Sequence, residues 1–329
     1  MLDTHKDHQE ISQVSEASHV ATLAIAGDVL GLAEIPKVNV AYHLQGNPSQ
    51  PWVAVQGGIS AHRGAGLAIA GRQPWWRDVV GPHKAINTQQ VAVLSIDFIG
   101  GGDGSSGPKD DSWPSATQVS PEVQARAIQQ VMVHHRIPQL KAFVGASYGG
   151  QIGLSFRSLF ADCLERLIVI SAAHRPHPMA SAWRHIQREI MSLSSEGDTS
   201  TQKRGVALAR ALAMTTYRST EEFEERFQGD TVVAYIEAQG KRYSEAVNPA
   251  CYQTLSASID HPCPYPSLEG PPCHILGFWE DRLVPPSILK ELSALTEGSL
   301  HLHHSLYGHD GFLKEIDLLW ELIPRFLGR

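Results

Sequence analysis

Cysteine is scarce in this 329-residue chain, and none of Cys163, Cys251, Cys263 and Cys273 stands in C-x-x-C spacing. A zinc knuckle or redox dithiol is thereby excluded, and free thiols without a structural disulfide are expected. Uninterrupted apolar runs of about 18 residues are missing, which excludes a membrane-spanning helix and leaves no membrane partner to expect. Basic blocks are missing too. With 27 Lys and Arg against 34 Asp and Glu, the net charge of -7 argues against an electrostatic grip on nucleic acid. The opening MLDTHKDHQE is acidic and polar where a secretory signal has a basic and then an apolar stretch, so a cytoplasmic location is expected.

What remains is the composition of a globular protein, 42% hydrophobic and 19% charged, with length for one large domain or two small ones. Residues 1–35 carry no clear period and read as a loosely tied lead-in. Apolar, β-branched runs follow at Val38–Leu44, Trp52–Gln56, Val91–Asp97, Ala142–Ala146, Leu167–Ser171 and Cys273–Phe278. Most are apolar throughout, as strands covered on both faces should be, and helical periodicity separates several of them. Pro121–Arg136 reads as one such helix, with Ser120 at its N-cap. The fold class is therefore α/β, with a mostly parallel, doubly wound sheet. Between residues 174 and 260 strands give way to amphipathic segments at Trp183–Leu193, Lys203–Tyr217, Glu221–Phe227, Thr231–Tyr243 and Pro249–Ile259. The polar SLSSEGDTSTQ stretch reads as a solvated connection between two of these helices. An α/β core of residues 36–173 and 261–329 thus carries a helical cap of residues 174–260. Gly311–Leu327 closes the chain as a helix.

One pentapeptide stands out. Gly145-Ala146-Ser147-Tyr148-Gly149 is a G-x-S-x-G directly after an apolar strand and before a helix, the context of a nucleophile elbow. A serine hydroxyl needs a base to take its proton and a carboxylate to hold that base, in the chain order serine, acid, histidine. Asp281 lies just beyond the strand Cys273–Phe278, with Glu280 as its neighbouring competitor. His309 lies in Gly308-His309-Asp310-Gly311, before the last helix. His301, His303 and His304 alternate along a strand, but no carboxylate or cysteine shares their spacing, so no metal is expected. Two N–H donors should hold an oxyanion: Tyr148, after the nucleophile, and Gly58, in the Gly57-Gly58-Ile59-Ser60-Ala61 turn after Trp52–Gln56, with Gly57 as the alternative.

Several blocks together resemble the homoserine O-acyltransferases, the MetX-type branch of the α/β-hydrolase fold. They are Gly57-Gly58-Ile59-Ser60-Ala61, Pro74-Trp75-Trp76, Ile96-Asp97-Phe98-Ile99-Gly100-Gly101, the elbow, the stretch from Ala172 to Arg188, Ala211-Met214-Thr215-Tyr217, Leu255-Ser256-Ser258-Ile259-Asp260 and Gly308-His309-Asp310-Gly311-Phe312-Leu313. They cover most of the chain from about residue 50 onward, and G-G-I-S-A and H-R-P-H-P are most similar to the succinyl-using subgroup. The resemblance implies ping-pong transfer. Ser147 takes the acyl group from succinyl-CoA, His309 moves the protons, Asp281 orients the imidazole, and L-homoserine accepts the acyl group for methionine biosynthesis. Acyl-CoA is then a substrate, and no cofactor is implied. The resemblance further assigns Arg188 to the homoserine carboxylate and Asp310 to its ammonium group, with a helix N-cap as the competing role for Asp310. A succinyl carboxylate needs a cation, and Arg184, one helical turn before Arg188, is the expected reader, with Arg175 as runner-up. Of Lys203, Arg204 and Arg210 in the cap, some are candidates for the CoA phosphates while others simply face water. A homodimer through the cap is implied.

Rival readings keep the same triad or dispense with it. An acetyl donor, a serine acceptor, or water as acceptor in an esterase all use the three residues, and a silent binding protein on the same fold does not. Arg188 and Asp310 together weigh against an esterase, which has no need of a cation and an anion around an amino acid.

Overall fold

The computed structural model describes residues 17–229, 231–261 and 270–328. Among them, the strands in chain order are β1 (Ser18–Ala26), β2 (Lys37–Gln45), β3 (Trp52–Gln56), β4 (Val80–Gly81), β5 (Ile86–Asn87), β6 (Ala92–Ile96), β7 (Leu140–Ala146), β8 (Leu167–Ile170), β9 (Cys273–Phe278) and β10 (Ser299–His303). Eight of them form one sheet in the order β1-β2-β6-β3-β7-β8-β9-β10, and β4 pairs with β5 apart from it. β1 and β2 are antiparallel, as are β2 and β6; every pairing beyond is parallel.

Parallel neighbours need crossovers. Helices α2 (Pro121–His134), α3 (Tyr148–Leu159) and α9 (Pro286–Thr296) supply three of them, α2 before β7, α3 before β8 and α9 before β10; the short α1 (Gly27–Leu30) follows β1. Successive side chains leave opposite faces of a strand. Along β8, Leu167 and Val169 enter one buried cluster while Ile168 and Ile170 enter another, so apolar residues in sequence serve two cores. The chain leaves β3 toward β6 and later returns across it to β7. That reversal opens a crevice at the carboxyl ends of β3 and β7, where open α/β sheets hold ligands.

The cap follows β8 and consists of α4 (Pro178–Ser195), α5 (Thr199–Tyr217), α6 (Thr220–Arg226), α7 (Thr231–Ala246) and α8 (Pro249–Ile259). Side-chain caps define its boundaries. Asp198 accepts from the Thr201 N–H, Ser219 from Glu222, and Asn248 from Ala250 and Cys251. The polar stretch read as a connection is mostly helical, because Asp198 starts α5 only three residues after α4 ends. The chain closes with α10 (Gly311–Lys314) and α11 (Ile316–Phe326) in place of one unbroken helix, since Glu315 leaves helical geometry at ψ 61°.

The lead-in expectation is corrected for residues 18–35. β1 is an edge strand in full register with β2, and Ile25, Leu30, Leu32 and Ile35 are buried in the core. Residues 1–16 lie outside the described residues, as does Cys263. Ser120 occupies the N-cap position of α2 but makes no capping hydrogen bond. Cys163, Cys251 and Cys273 are free thiols. Among the described residues no helix is long and apolar enough to cross a membrane.

Replacing Ile25 with Ala should lower stability by about 2 kcal/mol or more, since it empties a buried site. Urea unfolding measures this, and an unchanged midpoint would put β1 outside the core.

Candidate active site

β7 ends in a sharp turn into α3, and Ser147 sits at its apex with φ 54° and ψ -120°, a region that side chains resist. Glycine makes the turn possible. A Cβ on Gly145 would stand 2.2 Å from the Gly149 carbonyl oxygen, and one on Gly149 would stand 2.2 Å from the carbonyl oxygen of Gln56. Strand, apex and helix can therefore approach backbone to backbone.

The three residues separated along the chain converge. The Ser147 Oγ lies 2.8 Å from His309 Nε2, and His309 Nδ1 lies 2.8 Å from Asp281 Oδ2. An ionised carboxylate only accepts, so Nδ1 donates to Asp281 and Nε2 is left to accept from the serine hydroxyl. Asp281 is itself held by two N–H groups, of Leu283 and Val284, each 2.9 Å from Oδ1. Burial of His309 disfavours its charged form, but the Asp281 carboxylate and its hydrogen bond outweigh this and raise the imidazole above its ordinary value. Glu280 does not compete. Its carboxylate accepts from His304 and from the Ser305 N–H, fixing the loop after β10.

Beside the serine, the Gly57 carbonyl accepts from the Gly149 N–H at 2.8 Å. In a trans peptide the N–H opposes the C=O, so the Gly58 N–H points away from α3. A Cβ on Gly58 would lie 3.7 Å from that of Ser147, which places this backbone against the nucleophile. Tyr148, directly after the nucleophile, is the first residue of α3. Gly58 and Tyr148, the residues from which the oxyanion donors are expected, are thus both neighbours of Ser147, and Gly57 is the residue that pins the loop.

Ser147 and His309 lie between two chambers. One is lined by Ser171, Arg175, Arg184, Gln187, Tyr252 and Ser256, the other by Gly58, Ser60, Trp75, Arg210, Asp310 and Leu313. Ile59 and Tyr217 border both. A nucleophile and base shared by two compartments can meet an acyl group on one side and an acceptor on the other.

Over 297 residues, 85% of this chain and 76% of the relative, the sequence is 37% identical to the homoserine O-succinyltransferase of Xanthomonas campestris pv. campestris. The chain belongs to the homoserine O-acyltransferase family. Identity to the homoserine O-acetyltransferase of Thermus thermophilus is 27% over 281 residues, 78% of this chain and 73% of that one. The crystal structure of the homoserine O-acetyltransferase from Staphylococcus aureus matches with a TM-score of 0.82 at 24% identity, covering 95% of this chain and 96% of that one. The fold is the α/β-hydrolase fold. No family model matches the chain.

Within this acyltransferase the expected binding residues separate. Arg184 and Arg188 do project from one face of α4, but toward a common carboxylate. Arg184 Nε and Nη2 lie 2.9 and 2.5 Å from Asp260 Oδ1, and Arg188 Nη1 lies 2.8 Å from Oδ2. Burial opposes the charge of Asp260, yet the bonds from Arg184, Ser181 and Arg188 hold its carboxyl below the usual carboxylate range. Arg184 lines the first chamber. Arg188, also bonded to the Ser256 carbonyl, is not among the residues that border either chamber. Arg175 is engaged by both oxygens of Glu291.

Asp310 lines the second chamber, and Arg218 Nε reaches its Oδ2 at 3.2 Å. It makes no side-chain cap, so the N-cap alternative is set aside. Among the residues lining this chamber the cation is Arg210, one of the cap residues that could meet the CoA phosphates or face water. Arg210 lies over the Tyr217 and Tyr243 rings, at 5.2 and 4.6 Å, and among the described residues no carboxylate pairs with it. Its spacing of seven from Tyr217 on α5, two helical turns, was the available signal.

Because His309 must be neutral to accept a proton, activity should fall as pH drops through its raised pKa. Asp281→Asn removes what raises it, so the acid limb of the kcat/KM profile should move to lower pH while the rate drops; an unmoved limb would detach Asp281 from the base.

Proposed function

We propose that the protein transfers the succinyl group of succinyl-CoA to the side-chain hydroxyl of L-homoserine, through an acyl-Ser147 intermediate, in methionine biosynthesis. The observation that carries this reading is the triad between two chambers, each holding cations suited to one carboxylate. Arg184, Arg188 and Asp260 sum to one positive charge beside the first chamber, matching the single terminal carboxylate of a succinyl group. Arg210 and Asp310 face the second, matching an amino acid's carboxylate and ammonium. This assigns to Arg210 the role expected of Arg188.

In the first half-reaction the Ser147 hydroxyl attacks the thioester carbonyl while His309 Nε2 takes its proton. The Gly58 and Tyr148 N–H groups hold the resulting oxyanion. Collapse breaks the carbon–sulfur bond, and the proton on His309 leaves with the CoA thiol. In the second half, His309 takes the proton of the homoserine hydroxyl, whose oxygen attacks the acyl-serine carbonyl. Collapse returns that proton to Ser147 and releases O-succinylhomoserine. Asp281 holds and stabilises the imidazolium in both halves. Nucleophile, base and acid all come from the chain, so the proposed reaction uses acyl-CoA as substrate and calls for no separate cofactor.

A cytoplasmic homodimer completes the reading. Ile186 and Leu193 on α4 and Leu208 on α5 leave apolar side chains exposed on the cap, Leu193 at 85%, and a second copy would cover them. Sedimentation at twice the chain mass supports this, and a monomer refutes it.

The deciding assay follows thiol release from succinyl-CoA and acetyl-CoA, each with homoserine, serine or no acceptor. Release with succinyl-CoA that depends on homoserine is expected. Release without acceptor would indicate a hydrolase, and preference for acetyl-CoA or serine would change donor or acceptor. In the same assay Arg210→Ala should raise the homoserine KM about tenfold or more, as expected for a lost charge-assisted contact, with little change for the thioester. The reverse pattern would remove Arg210 from the acceptor site.

A further inference from the structure

The first chamber holds a polar group that the triad chemistry does not use. Ser171 follows β8 with φ 49°, left-handed backbone that a side chain resists. Its side chain is fully buried, and its hydroxyl has no hydrogen-bond partner among the described residues. A buried hydroxyl without a partner and a strained backbone both cost stability. Two such costs at one residue in a reaction chamber point to a ligand that offsets them.

Its position says which part of a substrate it meets. The Ser147 N–H bonds to the Ile170 carbonyl at 2.8 Å, and Ala146 pairs with Ile170, so Ser147 and Ser171 leave neighbouring parallel strands side by side. Such strands stand about 4.8 Å apart, a distance that a chain of a few carbon atoms spans. Arg184 lines the same chamber. Asp260 occupies its Nε and Nη2, leaving Nη1 without a partner among the described residues. A carboxylate offers two oxygens and about four acceptor sites, so one guanidinium nitrogen leaves it undersatisfied when buried.

We propose that Ser171 is a specificity-determining residue for the acyl group, its hydroxyl donating to the terminal carboxylate of the dicarboxylic acyl chain carried by Ser147 while Arg184 Nη1 donates to the same carboxylate. This rests on the dicarboxylic donor proposed above. The selection comes from a group that is paired only when that carboxylate is present. An acetyl chain leaves the hydroxyl as it stands in the free protein.

The test measures kcat/KM for succinyl-CoA and acetyl-CoA, with homoserine as acceptor, in the wild type, Ser171→Ala and Ser171→Gly. Glycine tolerates the left-handed backbone, so agreement between the two variants separates loss of the hydroxyl from strain. For succinyl-CoA both should lose about tenfold or more, mainly through KM, while acetyl-CoA changes by less than about threefold, as for a hydrogen bond to a charged group. If the wild type prefers succinyl-CoA but the variants lose equally with both donors, or with neither, Ser171 does not read the acyl group and the proposed donor stands. A wild type that prefers acetyl-CoA overturns the donor and this inference together.

Discussion

A proton can pass between Ser147 and His309 only at hydrogen-bond distance, and that distance rests on a backbone turn that side chains resist. The strain at Ser147 is held from several directions. Its N–H bonds to β8 through Ile170, and the Gly149 N–H bonds to the loop after β3 through Gly57. The Tyr148 hydroxyl meets Ser258 Oγ at 2.6 Å, and Gln151 donates to the Ile259 carbonyl, so the first turn of α3 also grips the last cap helix. The residues that expose the nucleophile are thus the ones that fasten the oxyanion loop and the cap. Displacing the turn would disturb all three.

Around that turn, charge is distributed so that the reaction completes it. Asp281 complements the imidazolium that forms when His309 takes a proton. Asp260 holds two arginines in place and cancels one of them, leaving a net cation beside the first chamber. In the second, Arg210 rests on two tyrosine rings without a carboxylate partner among the described residues, while Asp310 is only half matched by Arg218. Burying such imbalance without a ligand is costly. A zwitterionic acceptor on one side and an anionic acyl group on the other would bring the site to balance, which is why two chambers suit transfer better than hydrolysis.

The core and triad were legible in the sequence because each leaves a local mark. Buried parallel strands are apolar throughout, and Ser147, Asp281 and His309 each follow a strand within a few residues. β1 leaves a weaker mark because it is an edge strand rich in small residues, whose alternation of Ala21, Leu23 and Ile25 is only partly buried. The four-residue spacing of Arg184 and Arg188 is enough to put them on one helical face. Their partner Asp260, more than 70 residues away, lies outside anything periodicity records. Arg210 and Arg188 look alike as cap-helix arginines, and only tertiary packing decides which one reaches the reaction chamber. The orphaned hydroxyl of Ser171 has no sequence signature at all.

The most direct test of the covalent account is to mix the protein with succinyl-CoA in the absence of any acceptor, quench rapidly, and read the intact mass and peptide map. The account predicts one added succinyl group, located on the peptide containing Ser147 and lost when homoserine is supplied. Turnover with homoserine but no acylated protein under rapid quench, or an acyl group on another residue, would contradict it.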